Sequence, residues 1–263
     1  MRLLLLLTPL LAALALAGCG YGGEDVETMD IVATIPWGDH EEADYVLLDR
    51  DGEDEIGRGT LTVDRNDNGQ FELQINFAGD EGTDAASVLV DATTLKPEFV
   101  TRERVLEDEE SLTEGEYTVN EDGDAVLEIR TVEDGEERTV PLRLDEEHSY
   151  DNESSLFLWR TVPFAEEYEA SYHSVLAVAR SIQTVTMRVR RQEEITVPAG
   201  TFQTWRVEIT TSDRRQEAWF STDPSHVLVQ YDNSFQVFQL TEYRGGEPEP
   251  SGPVPTADAT PAP

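Results

Sequence analysis

The sequence predicts an all-β fold with minor α content, built around one strongly curved antiparallel sheet. Short runs rich in Val, Leu, Ile, Thr and aromatic residues alternate with turn signals along the middle of the chain. Residues 71–77 alternate apolar and polar side chains, so one face of that strand is apolar and the other polar. Four Asx-Gly pairs favour the positive φ angles of tight hairpin turns. They are Asp51-Gly52, Asn68-Gly69, Asp122-Gly123 and Asp134-Gly135.

The predicted strands form two meander halves, which would build a half-barrel or a sandwich-like sheet. They span residues 45–48, 59–63, 71–77, 87–90, 116–119, 125–131, 139–144, 184–189, 194–197, 203–210, 217–221, 226–232 and 235–243. One short helix is predicted over residues 152–159, with Asn152 or Ser154 as its N-cap. Residues 168–179 fit a helix or a strand, and we favour the strand. Similar turn and strand units in the two halves fit a duplication or two independent meanders.

Composition divides the chain into segments. We expect a signal peptide over residues 1–18, a lipidated tether over 19–39, and an antiparallel β domain over 40–244. The candidate halves of that domain are residues 40–150 and 151–244. Residues 245–263 are rich in Pro and nearly free of large apolar side chains, which predicts a disordered tail.

The first residues have the layout of a secretory signal, with Arg2 ahead of a short apolar run that ends in small residues. The sequence Leu16-Ala17-Gly18-Cys19 resembles the bacterial lipoprotein box. That resemblance implies cleavage before Cys19 and a lipid on its thiol, so the expected partner is a membrane, reached through this anchor. The expected location is the cell envelope, outside the cytoplasm, with the inner and outer membranes both open. Cys19 is the only cysteine, so the mature protein forms no internal disulfide.

The charge excludes some classes of partner. The chain has 55 Asp and Glu against 19 Lys and Arg, for a formal net charge of −36. Nucleic-acid phosphates need basic side chains, so binding to nucleic acid is not expected. Docking onto anionic lipid headgroups is disfavoured for the same reason.

A family resemblance rests on the segment Val197-Pro198-Ala199-Gly200-Thr201-Phe202, followed by Trp205 and by Ala218-Trp219-Phe220-Ser221. Together with residues 91–97 it resembles an uncharacterised bacterial envelope domain over roughly residues 40–243. That domain is related in shape to the lipoprotein carriers and receptors (LolA/LolB-like), in which a strongly curved antiparallel sheet forms an open half-barrel. The shared motifs are turns and strands, so the resemblance implies no functional residues.

An aromatic and apolar cluster follows the middle of the chain, and it fits two roles. It could be a plug that closes the core of the curved sheet, or the lining of a pocket for a hydrophobic ligand. The candidate lining residues are Leu156, Phe157, Trp159, Phe164, Tyr168 and Tyr172.

No catalytic residue, metal site or cofactor is predicted. Residues 64–69 open like a calcium loop, but the twelfth position is Ile75 rather than an acid, which favours a hairpin turn. The four histidines lack the spacing of zinc ligands. Basic residues cluster at Arg188, Arg190, Arg191, Arg214 and Arg215. We expect them to pair with acids on neighbouring strands, and an anion site is the alternative.

Three functions remain. The leading hypothesis is a non-catalytic, membrane-anchored surface lipoprotein that binds a lipid or another apolar ligand in the curved sheet. The first alternative is a structural or protein-interaction module of the envelope with an acidic face. The second alternative is a hydrolase of envelope polymers, for which the sequence offers no positive signal.

Overall fold

The structure, a computed structural model, describes residues 27–245 except 107, 108, 134, 145, 146 and 213. It contains fifteen strands in one sheet. The strands are β1 His40–Leu48, β2 Glu55–Arg65, β3 Gln70–Gly79, β4 Gly82–Asp91, β5 Pro97–Leu106, β6 Glu109–Val119, β7 Ala125–Glu133, β8 Glu136–Arg143, β9 Ser149–Asp151, β10 Glu169–Leu176, β11 Ser181–Val197, β12 Gly200–Thr210, β13 Arg215–Ser221, β14 Leu228–Asp232 and β15 Val237–Gly245.

The sheet consists of two meanders joined side by side. Strands β1 to β8 pair in sequence order, and strands β10 to β15 do the same. The two series meet where β1 pairs antiparallel with β15, from Glu41 opposite Gly245 to Leu48 opposite Val237. All pairs are antiparallel except β9 with β10, which is parallel. Strands β8 and β9 are the two edges of the sheet, which is curved but not closed. This architecture confirms the predicted fold class.

Side-chain contacts join the two ends of the sheet, whose edge strands β8 and β9 are not hydrogen-bonded to each other. The Tyr117 hydroxyl on β6 donates to Asp151 Oδ2 at the end of β9, at 2.5 Å. Arg180, in the β10–β11 turn, donates to Thr131 Oγ1 on β7 at 3.2 Å. These residues stand at opposite ends of the strand order, so the contacts require strong curvature. Strand β8 is poorly suited to pair with a further strand, because Pro141 lacks an N–H and the strand carries charged residues at both ends.

The predicted strands are present, but many of them are longer in the structure than predicted. Gly52, Gly69, Gly123 and Gly135 all have positive φ, as the Asx-Gly turns require. Strand β5 was not predicted, because its sequence PEFVTRERVL intersperses charges that hide the apolar period. Predicted strands 184–189 and 194–197 are one strand, β11, with a register shift between Val189 and Arg191. Residues 169–176 form strand β10, as favoured.

A short helical segment, which we call the plug, fills one end of the concave face. It consists of 3-10 turns at Asn152–Ser154 and Trp159–Thr161 around helix α1, Ser155–Leu158. Asp151 is the N-cap and accepts the Glu153 N–H at 2.8 Å. Every residue of α1 is buried, which suits a helix that is apolar on all sides. The predicted short helix is therefore present as α1, whose N-cap residue is Ser154 as one of the two predicted options, but the Ser154 side chain makes no capping hydrogen bond. The side chain that caps the segment is Asp151, at the start of the preceding 3-10 turn.

A buried ion pair fixes the plug to the sheet. Both terminal nitrogens of Arg160 bond the carboxylate of Glu41 on β1, and both side chains are almost fully buried. The guanidinium also donates to the carbonyls of Ser225 and His226, at 2.7 and 3.1 Å. The Tyr243 hydroxyl completes the site by donating to Glu41 Oε2 at 2.9 Å. The charges are thus hydrogen-bonded as well as paired, as burial of charge requires.

Residues 27–39 are the described part of the predicted tether. They contain no helix and no strand, and they pack on the domain. The Met29 N–H bonds the Ser171 carbonyl at 2.8 Å. Ile31 and Trp37 are buried, and the Trp37 ring contacts the Phe157 ring of the plug edge to face. The first strand begins at His40.

Several predictions fall outside the described residues. They are the signal peptide, Cys19, residues 19–26 of the tether, and the tail beyond Gly245. Gly245 is the last residue of β15. Within the part of the chain that the structure describes, no helix is both long and apolar enough to cross a membrane.

The Glu41–Arg160 pair gives a stability prediction. Arg160→Met should lower the free energy of unfolding by about 3–5 kcal/mol, because it leaves a buried carboxylate without its countercharge. Urea unfolding measures the change. The control is Arg58→Met, which breaks an exposed pair with Glu55 and should cost about 1 kcal/mol or less. Equal losses in the two variants would contradict the role assigned to the buried pair.

Candidate functional site

The concave face is filled at one end and open at the other. The plug runs from Glu153, which contacts Arg102 on β5, to Arg160, which contacts Glu41 near the start of β1. A cavity of about 400 Å³ lies beside the plug. Leu156 and Trp159 of the plug form the cavity floor. Leu176 at the end of β10, Arg214 in the β12–β13 turn and Asn233 after β14 belong to its mouth. The volume is in the range of ligand sites, which is about 300–1,000 Å³.

Four aromatic rings from four separate elements line the cavity as a continuous surface, which we call the aromatic wall. Its members are Phe77, Trp159, Tyr231 and Phe238. Ring centroids are 5.7 Å apart between Trp159 and Tyr231, 5.4 Å between Tyr231 and Phe238, and 5.1 Å between Phe238 and Phe77. The wall therefore runs from the plug to the end of β3, as a surface for apolar ligand atoms.

Gly59 determines where the ring at the outer end of this wall lies. It pairs with Phe77 across β2 and β3, and a Cβ at Gly59 would stand 2.3 Å from the Phe77 ring. The ring can lie against the β2 backbone only because the glycine has no side chain. Phe77 also borders a second cavity, of about 430 Å³, whose lining includes Leu47, Ile56 and Leu106.

The six residues predicted as lining divide into two groups. Leu156 and Trp159 border the cavity. Phe157 and Tyr172 are fully buried in the core, and neither belongs to the lining. Phe164 packs on Phe220 at 5.5 Å between ring centroids, and Tyr168 packs partly buried against the core. These four residues pack in or against the protein core rather than on this cavity.

Sequence reasoning missed most of the lining. Phe77 lies on a strand whose period-two pattern was recognised, so its inward direction was readable. The contact of its ring with Phe238 was not predictable, because that contact depends on the pairing of β1 with β15. Arg102 was missed together with its whole strand, β5.

A charged network borders the cavity beside the floor. Arg102 makes a bidentate contact with Asp84, at 2.8 and 2.6 Å, and its third nitrogen donates to Glu153 at 2.9 Å. The hydrogen bonds to Asp84, the largest cause, hold the pKa of Arg102 above its ordinary value. Arg102 and Glu153 both line the cavity, so the polar side of the site is an ion pair rather than two opposed carboxylates.

Asp151 lies behind this network and is fully buried. Burial, as the main cause, and the nearby Glu153 charge raise the pKa of Asp151 to about 7. Its two oxygens accept the Tyr117 hydroxyl and the Glu153 N–H, at 2.5 and 2.8 Å. Burial, as the main cause, and the Asp151 charge also raise the pKa of the Tyr117 hydroxyl. Asp151 thus couples the plug cap to β6.

The other candidate chemistry has structural explanations. Residues 66–69 form the β2–β3 turn, in which Gly69 has φ 79°. The expected cross-strand pairing holds for Arg190, which contacts Glu208 at 2.8 Å, and for Arg215, which contacts the same carboxylate at 2.6 Å. Among the described residues no group of three His, Cys, Asp or Glu is placed to hold a metal ion.

A larger cleft, of about 500 Å³, lies near the turns that connect β5 to β8. Charged and polar residues, among them Glu103, Arg104 and Glu110, form much of its lining. It has no aromatic ring and no contribution from the plug. The cavity with the aromatic wall is therefore the better candidate for an apolar ligand.

The chain belongs to a family of proteins of unknown function (DUF3108), whose model matches residues 49–239. The match includes most of the sheet and the whole plug. No curated protein shows significant similarity to the chain. The prediction of an uncharacterised domain is confirmed, whereas the likeness to the lipoprotein carriers stays a prediction.

Three solved structures are similar to the chain, and each comparison covers 82% of this chain and 100% of the other. A β-barrel-like protein of a domain of unknown function (DUF1849) from Brucella abortus has a TM-score of 0.53 at 14% identity, which supports the fold alone. A candidate lipoprotein from Parabacteroides distasonis scores 0.31 at 13% identity. A candidate exported protein with a YmcC-like fold from Bacteroides fragilis scores 0.26 at 10% identity. The last two scores are too low to carry an argument.

Asp151 predicts a pH dependence of stability. Its folded pKa of about 7 exceeds the unfolded value of 3.8, so the folded state binds more protons between these values. Stability should therefore fall as pH rises from about 5 to about 7, by roughly 1 kcal/mol per pH unit from this group. Asp151→Asn mimics the protonated side chain and should remove that slope.

Thermal unfolding of both proteins across this pH range tests the assignment. The difference between them isolates Asp151, because His226, whose pKa burial lowers, titrates in both. Parallel curves for the two proteins would contradict the buried, protonated Asp151.

Proposed function

We propose that the protein is a non-catalytic, lipid-anchored envelope protein that binds an apolar ligand in the cavity beside the plug. The cavity with its aromatic wall is the observation that carries the proposal. Four rings and the plug residue Leu156 present apolar surface to a space that the chain's own side chains leave open. Apolar ligands bind such concave surfaces because binding removes both surfaces from water.

The described lining of the cavity supports a binding role over hydrolysis. Among the described residues that line the cavity, Glu153 is the one Asp or Glu, and it is bonded to Arg102. Glycoside hydrolysis needs two carboxyl groups flanking the substrate at a defined separation. The described lining supplies one carboxyl group, and that group is paired with an arginine.

The proposed anchor is a lipid on Cys19. The lipoprotein-box resemblance at residues 16–19 motivates it, as does the signal layout before it. The described chain begins at the plug end of the domain, where Met29 bonds Ser171 near the start of β10. The cavity mouth lies at the other end, among the β10–β11, β12–β13 and β14–β15 turns. The anchor would thus attach at the end away from the mouth and leave the mouth accessible.

Ligand binding can be tested with the uncharged apolar dye N-phenylnaphthylamine and the full chain carrying Cys19→Ser. The dye should bind with a rise in fluorescence. Gly59→Ala should weaken binding about fourfold or more, because the new methyl group pushes the Phe77 ring off β2 and into the cavity.

Gly115→Ala is the matched control for this variant. A Cβ at Gly115 would meet Leu127 and Val100 at 2.8 Å, but Gly115 does not line the cavity. The two variants should lose similar stability while only Gly59→Ala loses dye affinity. Dye binding that is absent, or equally affected in both variants, would contradict the proposal.

The anchor has a separate test. Mass spectrometry of the protein from its own membranes should find Cys19 as the first residue, carrying acyl groups. Cys19→Ser should move the protein from the membrane fraction to the soluble fraction. A mature chain with a free Cys19 thiol would contradict the lipid anchor and would leave the cavity proposal intact.

A further inference from the structure

Two cavities lie next to each other on the concave face of the sheet. The first is the cavity with the aromatic wall, of about 400 Å³, and the second has about 430 Å³. Leu47 and Ile56 give the second cavity an apolar side. Among the residues that the structure describes, Phe77 is the one that lines both cavities. The Phe77 ring therefore stands between two neighbouring spaces.

The ring belongs to a row of side chains across the concave face, which we call the partition: Phe238, Phe77, Asp84 and Arg102. The Phe238 and Phe77 ring centroids are 5.1 Å apart, although β1 and β2 lie between their strands. Asp84 is the partner of Phe77 across β3 and β4, so the two side chains are neighbours on one face. Arg102 on β5 bonds both oxygens of Asp84, at 2.8 and 2.6 Å. The partition thus spans the face from β15 to β5.

The Phe77 ring is packed on two sides. One side meets Phe238, and the other lies on the β2 backbone at Gly59, where a Cβ would stand 2.3 Å from the ring. The far end of the partition is tied to the plug, because Arg102 donates to Glu153 at 2.9 Å. Packing therefore keeps the ring in place as a wall between the cavities.

The two halves of the partition differ in chemistry. Asp84 and Arg102 are an ion pair whose side chains are mostly shielded from solvent. An apolar chain that crossed there would remove the remaining water from paired charges, which is costly. At Phe77 the barrier is an apolar ring, and the cost of crossing is steric. Phe77 therefore decides whether an apolar ligand can extend from the first cavity into the second.

We propose that Phe77 is the size-determining residue of the ligand site, and that its ring confines the ligand to the first cavity. The inference rests on the proposed function and adds the class of ligand, which is a compact apolar molecule or a short chain. A volume of about 400 Å³ is at the low end of the range for ligand sites. The two cavities joined would approach the upper end of that range, which long unbranched chains need.

The test is a series of straight-chain alcohols, from hexanol to tetradecanol, that displace N-phenylnaphthylamine from the full chain carrying Cys19→Ser. Each CH₂ that enters the cavity should strengthen binding about fourfold. Affinity should stop rising at the chain length that fills the first cavity, which we call the length limit. In Phe77→Ala the length limit should move to longer alcohols, because the two cavities become one. The limit is independent of the affinity that the variant loses with the ring.

Phe77→Leu guards against a folding defect in Phe77→Ala. Leucine keeps an apolar side chain at this position but is smaller than the ring, so the length limit should lie between those of the parent and Phe77→Ala. An unchanged limit in both variants would overturn the size-determining role and leave the apolar cavity intact. If no alcohol in the series binds, the proposed function itself is overturned.

Ile56→Phe is the matched control, because Ile56 lines the second cavity and not the first. In the parent chain this variant should leave the length limit unchanged, since the ligand does not reach Ile56. In the Phe77→Ala background it should bring the limit back towards the parent value, because the added ring fills the space that was opened. A shorter limit with Ile56→Phe alone would show that the ligand already passes Phe77, and would overturn the proposal.

Discussion

A curved sheet with one apolar face must cover that face, and in this protein a ten-residue plug covers only part of it. The plug is held by the buried Glu41–Arg160 pair and by the Asp151 cap, whose pKa burial raises to about 7. Charged groups tie it to β1 on one side and, through Arg102 and Tyr117, to β5 and β6 on the other. The plug leaves part of the concave face uncovered, and the cavity lies there, beside Leu156 and Trp159 of the plug.

The same bonds explain why the sheet needs no backbone closure. Its edges, β8 and β9, are not paired with each other. Side-chain bridges from the plug and from Arg180 reach the inner surface of β5 to β7 instead. Arg102 therefore has two roles. It holds the plug through its bond to Glu153, and it lines the cavity. A variant of Arg102 would alter both at once, so it is a poor probe of either.

Features that depend on neighbouring residues in the chain were predictable from the sequence. Features that depend on contacts between distant strands were not. The period-two pattern of residues 71–77 and the glycine turns gave strand type, turn position and the inward face. Strand β5 escaped because Arg102 and Arg104 interrupt its apolar pattern, and both serve as partners of Asp84. The aromatic wall joins residues separated by up to 161 positions, from Phe77 to Phe238, through pairings that no local pattern encodes. Compositional reasoning placed residues 31–37 in a tether, although Ile31 and Trp37 are core residues.

The concave face is proposed to hold an apolar ligand beside the plug. Native mass spectrometry of the full chain, extracted in mild detergent from the cells that make it, is the most direct test. We expect a population that carries one additional, non-covalently bound apolar molecule, which dissociates on collisional activation and is depleted in Gly59→Ala but not in Gly115→Ala. A single ligand-free mass under the gentlest conditions, or equal occupancy in both variants, would contradict it.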